Sequence, residues 1–221
     1  MSDISDGLIN KHDILTGCDF APSGMVGKYY YIPKLRAQID QSSGEDVVTR
    51  CIQQLGSMDD SWSMVTSYLD SLPASSRPSM EMVAVDTLTP SRNRIKVYYR
   101  SHDNTIDAIV NHLTLGGRLA NDESTRDTIS VFRNLCGYLF PGVASDEPLI
   151  TSSKFKRDLP GFLMYFELTP RTAVPFPKVY VPVRQYCAND AQIADAIGKY
   201  LRSTGNTTAG DRYALDFKGL M

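Results

Sequence analysis

The chain has 221 residues, 42% of them hydrophobic and 22% charged, with a formal net charge of −2. That length and balance fit one folded domain, or two small ones, and exclude a disordered chain. The near-neutral charge excludes nucleic acid as the main partner, because phosphate-backbone binding needs a basic excess.

In chain order, the opening "MSDISDGLINKHD" carries no basic-then-apolar signal segment. "DILTGCDFAP" and "MVGKYYYIP" read as strands around the turn Pro22-Ser23-Gly24, and "GEDVVTRCIQQLG" and "DDSWSMVTSYLDSL" then read as helices. "MEMVAVDT" and "NRIKVYYR" are strands again, followed by the helical patterns "NTIDAIVNHLTLGG" and "ESTRDTISVFRNLCGYLF". "GFLMYFEL" and "PKVYVPVRQY", the latter spanning 177–186, form a third strand pair joined by a Pro-rich connection through Pro170, Pro175 and Pro177. "NDAQIADAIGKYLRSTG" and "TTAGDRYALDF" close as helices. The pattern is therefore ββαα three times over, at about 13–73, 80–140 and 160–216, in an α+β chain expected to be a single domain over 1–221.

The repeat extends to single residues. The second strand of each pair carries Lys-x-Tyr: Lys28 and Tyr30, Lys96 and Tyr98, Lys178 and Tyr180. Side chains alternate across a strand, so each Lys and Tyr share one face while Val179, Val181 and Val183 share the other. The middle copy extends its polar face through Arg94, Lys96, Tyr98 and Arg100, with Ile95, Val97 and Tyr99 opposite. One lysine on a strand face is ordinary solvent exposure. Three at equivalent positions, facing one space, call for an anion. Lys28, Arg94, Lys96 and Lys178 suit a diphosphate, and tyrosine rings beside them suit an allylic cation. Lys154, outside the repeated strands, is the corresponding control lysine.

Other motifs have plainer readings. "DDSW" at 59–62 and "NDESTRDTI" at 121–129 are incomplete as carboxylate metal motifs and are read as helix N-terminal charges. "TLGGR" at 114–118 is a helix C-cap. The four cysteines form no C-x-x-C pair, and Cys51 and Cys136 fall in helical patterns as small core residues. His12, His102 and His112 are scattered and read as satisfied or surface histidines rather than catalytic ones. No apolar run reaches membrane-span length, so a soluble protein of the reducing cytoplasm is expected, where the sequon Asn206-Thr207-Thr208 carries no meaning.

"GKYYYIP" (27–33), "VDTLTPSRNRIKVYYR" (85–100), "LTLGGRL" (113–119) and "PKVYVPVRQYCANDAQIA" (177–194) together resemble the fungal aromatic prenyltransferases of the dimethylallyltryptophan synthase type. The resemblance covers nearly the whole chain and implies part of an antiparallel αββα (ABBA) barrel, with helices outside and a lumen that binds a prenyl diphosphate. It implies transfer of a dimethylallyl or longer prenyl group to an aromatic acceptor, indole or tryptophan-derived or a phenolic polyketide, in fungal secondary metabolism. No metal is required in that family, so magnesium is not expected to be essential. Carried over, Lys28, Arg94, Lys96 and Lys178 hold the diphosphate, and Tyr30, Tyr98 and Tyr180 shield the cation and bind phosphate oxygens. The family's acceptor-binding glutamate has no counterpart, and three strand pairs stand where the family barrel has five. The chain thus reads as a shortened member, with self-association expected through open barrel edges. The alternative is a truncated, non-catalytic relative that at most binds a prenyl diphosphate.

Overall fold

A computed structural model describes residues 14–22, 24–151 and 161–219. Ser23 of the first turn, His12 and the control lysine Lys154 lie outside the described residues.

The six strands form one sheet in chain order: β1 (Ile14–Ala21), β2 (Gly24–Tyr31), β3 (Ser79–Asp86), β4 (Ile95–Ser101), β5 (Phe162–Thr169) and β6 (Thr172–Tyr180). The first four pair antiparallel, with Ala21 opposite Gly24 at the first hairpin. Helices follow each pair: α1 (Lys34–Ile39), α2 (Gly44–Leu55) and α3 (Asp59–Asp70), then α4 (Ile106–Leu113) and α5 (Glu123–Leu139), then α6 (Val183–Tyr186), α7 (Asp190–Ser203) and α8 (Thr207–Gly219). The ββαα order holds, with two short helices added.

Helix starts follow the capping chemistry written in the sequence. The Ser43 hydroxyl accepts from the Asp46 backbone N–H while the Asp46 carboxylate accepts from the Ser43 N–H, a capping box at the head of α2. Asp122 caps α5 by accepting from the Thr125 N–H, and Asp59 and Asp60 occupy the first turn of α3, so both acidic stretches are helix N-terminal charges.

Two compact units emerge, and they do not follow the repeats. One comprises residues up to Arg100 together with Leu163–Lys178, and the other Ser101–Phe162 together with Val179 onward. In the first unit, one sheet face carries Val97, Tyr99, Met164, Phe166 and Leu168, all buried. Tyr68 of α3 meets Phe166 edge-on at 6.3 Å and Tyr99 meets the same ring at 5.9 Å, which seats α3 on that face.

In the second unit, Ile106, Cys136, Leu139, Phe140, Leu149, Cys187 and Ala196 form one buried cluster. His112 is also buried there, edge-on to Phe162 at 5.6 Å. Burial pushes its imidazole down to about 4, against a weaker upward pull from Asp103. A base whose folded pKa is lowered stays neutral in the fold but takes up a proton on unfolding as the pH falls below about 6.5, so the stability it contributes near neutrality is lost on acidification. Urea unfolding is expected to show about 2 kcal/mol less stability at pH 5 than at pH 7 from this residue alone. Equal stability at the two pH values would contradict a buried neutral His112.

Three sequence readings are corrected. The third repeat's second strand begins at Thr172, so Pro175 and Pro177 lie inside β6 rather than in a connection. Backbone N–H groups two residues apart point to the same side, and an edge strand tolerates two prolines on its unpaired side. The same strand stops at Tyr180, not 186, because Pro182 leads into α6. Val181 and Val183 therefore leave the strand and pack against the second unit's cluster. Cys51 is not a core residue; it is exposed, whereas Cys136 is buried.

Candidate functional site

The strand registers assemble the site. Lys28 stands opposite Asp86, Tyr30 and Lys96 both stand opposite Ala84, and Tyr98 stands opposite Met82 in the same register, just short of a bulge between Met82 and Met80. By alternation, Lys28, Tyr30, Asp86, Arg94, Lys96 and Tyr98 share the sheet face turned away from α3. The period of two that singled out Lys-x-Tyr has placed those side chains together.

Asp86 is the electrostatic hub. Only 2% of it is exposed, and its carboxylate accepts from Arg94 Nε at 2.5 Å and from Lys96 Nζ at 3.4 Å on each oxygen. Burial alone would raise this carboxyl, yet the Arg94 hydrogen bond and the Lys96 and Arg94 charges together hold it below the usual carboxylate range. A depressed carboxylate stabilises the fold above its unfolded pKa and withdraws that support as the pH falls through its folded value. Asp86 is therefore ionised throughout the neutral range. Arg94 also lies 3.7 Å from Glu167, Lys28 pairs with Asp19, and Arg100 pairs with Glu81 at 2.9 Å. The Asp19 hydrogen bond raises the Lys28 ammonium, opposed by partial burial.

An aromatic run lies alongside. Tyr30 and Tyr98 have ring centroids 6.3 Å apart, and Tyr98 and Tyr165 are 5.0 Å apart. Lys96 Nζ sits 6.0 Å and Lys178 Nζ 5.8 Å from the centroid of Tyr165. Two ammonium groups from different strands thus converge over one buried ring. Asp86 and Tyr165 belong to this arrangement and were missed in the sequence. The signals were there: Asp86 lies within "VDTLTPSRNRIKVYYR", and Tyr165 occupies the alternate position to Met164 and Phe166 in "GFLMYFEL". Tyr180, the end of β6, falls in the second compact unit and is 42% exposed.

On the opposite sheet face, an apolar cavity of about 520 Å³ lies between α1, α2 and the strands, lined by Ile14, Tyr31, Ile39, Cys51 and Leu55 among others. It explains how Cys51 can be exposed on an otherwise apolar surface. Its lining offers an anion little beyond Arg36, so the basic face is the candidate site. Among the described residues, no group of three or more His, Cys, Asp or Glu side chains could hold a metal ion.

The sequence profile described as tryptophan dimethylallyltransferase matches residues 3–215. The chain belongs to the tryptophan dimethylallyltransferase family. Among its dimethylallyltransferase relatives, 4-O-dimethylallyl-L-tyrosine synthase of Claviceps purpurea is 32% identical over 221 residues, covering 95% of this chain and 49% of that protein. The 7-dimethylallyltryptophan synthase of Aspergillus fumigatus is 28% identical over 186 residues, covering 80% of this chain and 38% of that protein. The solved structure of NotF, in complex with brevianamide F and DMSPP, superposes with a TM-score of 0.74 at 18% identity over 93% of this chain and 49% of that one. That likeness shows the α+β prenyltransferase fold. The chain spans about half the length, or less, of the curated relatives it matches.

Proposed function

We propose that this chain carries the prenyl-diphosphate site of an aromatic prenyltransferase, which moves a dimethylallyl or longer prenyl group onto an aromatic acceptor. The observation that carries the reading is the convergence of Lys96 and Lys178 over the Tyr165 ring, beside Arg94. Cations brought together at a partly desolvated face repel one another, and a bound diphosphate offsets that repulsion. In this reading the three repeats act as one partial barrel domain, and Lys28, Arg94, Lys96 and Lys178 grip the diphosphate.

The chemistry then follows from charge. The bond between the allylic carbon and the diphosphate oxygen breaks, and the electron pair leaves with the diphosphate, where the basic groups take up the developing negative charge. They do the work that a divalent cation does elsewhere, so transfer proceeds with magnesium chelated. Tyr30, Tyr98 and Tyr165 present their π faces to the allylic cation and keep water from it. The acceptor's aromatic nucleophile forms the new bond and gives up a proton. A tyrosine- or tryptophan-derived acceptor fits the names of the relatives, and a phenolic polyketide fits the same chemistry. The setting proposed is the cytoplasm; among the described residues no helix is long and apolar enough to cross a membrane.

The test is to incubate the protein with dimethylallyl diphosphate and L-tyrosine, L-tryptophan or a phenolic acceptor in EDTA, and to follow prenylated product by mass spectrometry. Product in EDTA is expected. Neither product nor diphosphate release with any acceptor, from folded protein, would overturn the proposal.

A further inference from the structure

We infer that Asp86 is the internal counter-ion of the cation cluster, a positioning residue that holds Arg94 and Lys96 side by side and aligned for an incoming diphosphate. The inference rests on the diphosphate reading above and adds a residue to it that carries the wrong charge for the ligand. A carboxylate at an anion site works against binding unless it does something the cations cannot do for themselves.

The geometry says what that is. Arg94, just before β4, and Lys96 within it are two residues apart and both reach Asp86, so they stand side by side with like charge. The Lys96 side chain is only 9% exposed, which removes most of the water that would otherwise screen and solvate its ammonium. Two like charges held at one place repel, and a carboxylate between them offsets the repulsion. Asp86, on the neighbouring strand, reaches both cations at once: Arg94 through one oxygen and Lys96 through both. It also stands opposite Lys28 across the β2–β3 pair.

The remaining charges near the cluster are accounted for on each neighbouring strand. Asp19 of β1 engages Lys28, Glu167 of β5 lies beside Arg94, Lys178 of β6 stands over the Tyr165 ring, and the phenols of Tyr30, Tyr98 and Tyr165 line the same face. Among the described residues, the carboxylate paired with Lys96 is Asp86 rather than either of these, so Asp86 is the anion that serves it. Asp86 thereby lets two cations remain adjacent at a partly desolvated face before the ligand arrives. The diphosphate then meets donors already in place, and the cost of ordering them is not deducted from binding.

The test uses the whole chain, calorimetry with the non-ionising thiolo analogue of dimethylallyl diphosphate, and magnesium-free buffer. Asp86→Asn, nearly isosteric, is expected to bind about tenfold more weakly, while Asp86→Glu, which keeps the carboxylate, recovers most of the wild-type affinity. A merely structural role would favour the better isostere, so asparagine would then be tolerated better than glutamate. Unchanged affinity in Asp86→Asn, or a loss in Asp86→Glu as large as in Asp86→Asn, overturns the counter-ion role while leaving the diphosphate reading intact. No binding by folded wild-type protein overturns both. If Asp86→Asn fails to fold, the Asp86 carboxyl is followed by carbon-13 NMR in the wild type. Saturation with the analogue is expected to move its titration upward as a second anion joins the same cations. A titration unmoved by the analogue overturns the inference.

Discussion

Lys96→Ala is expected to weaken binding of the thiolo analogue by roughly ten- to a hundredfold, the range set by losing a charge-assisted contact of about 1.5–3 kcal/mol. The size of the effect comes from where Lys96 stands. It is the buried lysine of the three repeats, bonded to Asp86 and poised over Tyr165. In the proposed site, removing it deletes one donor to the ligand, and it leaves the buried Asp86 with Arg94 as its close partner. The matched control is Lys199→Ala, since Lys199 is exposed on α7 and belongs to none of the repeated strands, and that change is expected to alter affinity by less than twofold. The comparison is read by calorimetry at a fixed salt concentration, because charge-based binding is screened. Equal effects at positions 96 and 199 would contradict the basic-face site.

The largest effect on stability is expected at Gly161, at the entry to β5. Its φ is +98°, a backbone conformation that favours glycine, and a Cβ there would stand 1.8 Å from the Ser101 carbonyl oxygen. The obstacle is backbone, so no rotamer change relieves it. Tyr186 holds the position from the other side: its hydroxyl donates to the Gly161 carbonyl at 2.9 Å and accepts from the Gly161 N–H at 3.2 Å. Gly161→Ala is therefore expected to cost about 4 kcal/mol or more, or to prevent folding, through combined strain and displaced hydrogen bonds. Gly137→Ala is the contrast. Gly137 lies inside α5, a methyl added there would meet nothing within 4 Å, and alanine is expected to stabilise by about 0.5–1 kcal/mol. Urea unfolding of the two variants reads both outcomes. A change at Gly161 within about 1 kcal/mol of wild type would show that the β5 entry is not constrained as described.

The Lys-x-Tyr repeat was legible in the sequence because a strand's period of two is simple and the same pair recurs at each second strand. The helix heads at Ser43 and Asp122 were legible for a similar reason, since caps are local. What the sequence hid was nonlocal. Asp86 sits on a strand that reads as plain core, and its meaning comes only from the register that sets it against Lys28 and beside Lys96. Tyr165 is flanked by the buried Met164 and Phe166, so it passes for a core aromatic until two lysines from other strands are found over its ring. The start of β6 was obscured by Pro175 and Pro177, which signal a loop unless the strand is known to lie at an edge. The six-residue α1 has no side-chain cap at Pro33 and too few turns to show a period.

The central claim is that this sheet face binds an allylic diphosphate through protein cations. The most direct measurement is calorimetric titration of the folded wild-type chain with the thiolo analogue of dimethylallyl diphosphate in magnesium-free buffer. Saturable binding that weakens with added salt is the predicted result. A folded chain that gives no heat of binding across the ligand range, with its fold confirmed by circular dichroism in the same buffer, would contradict it.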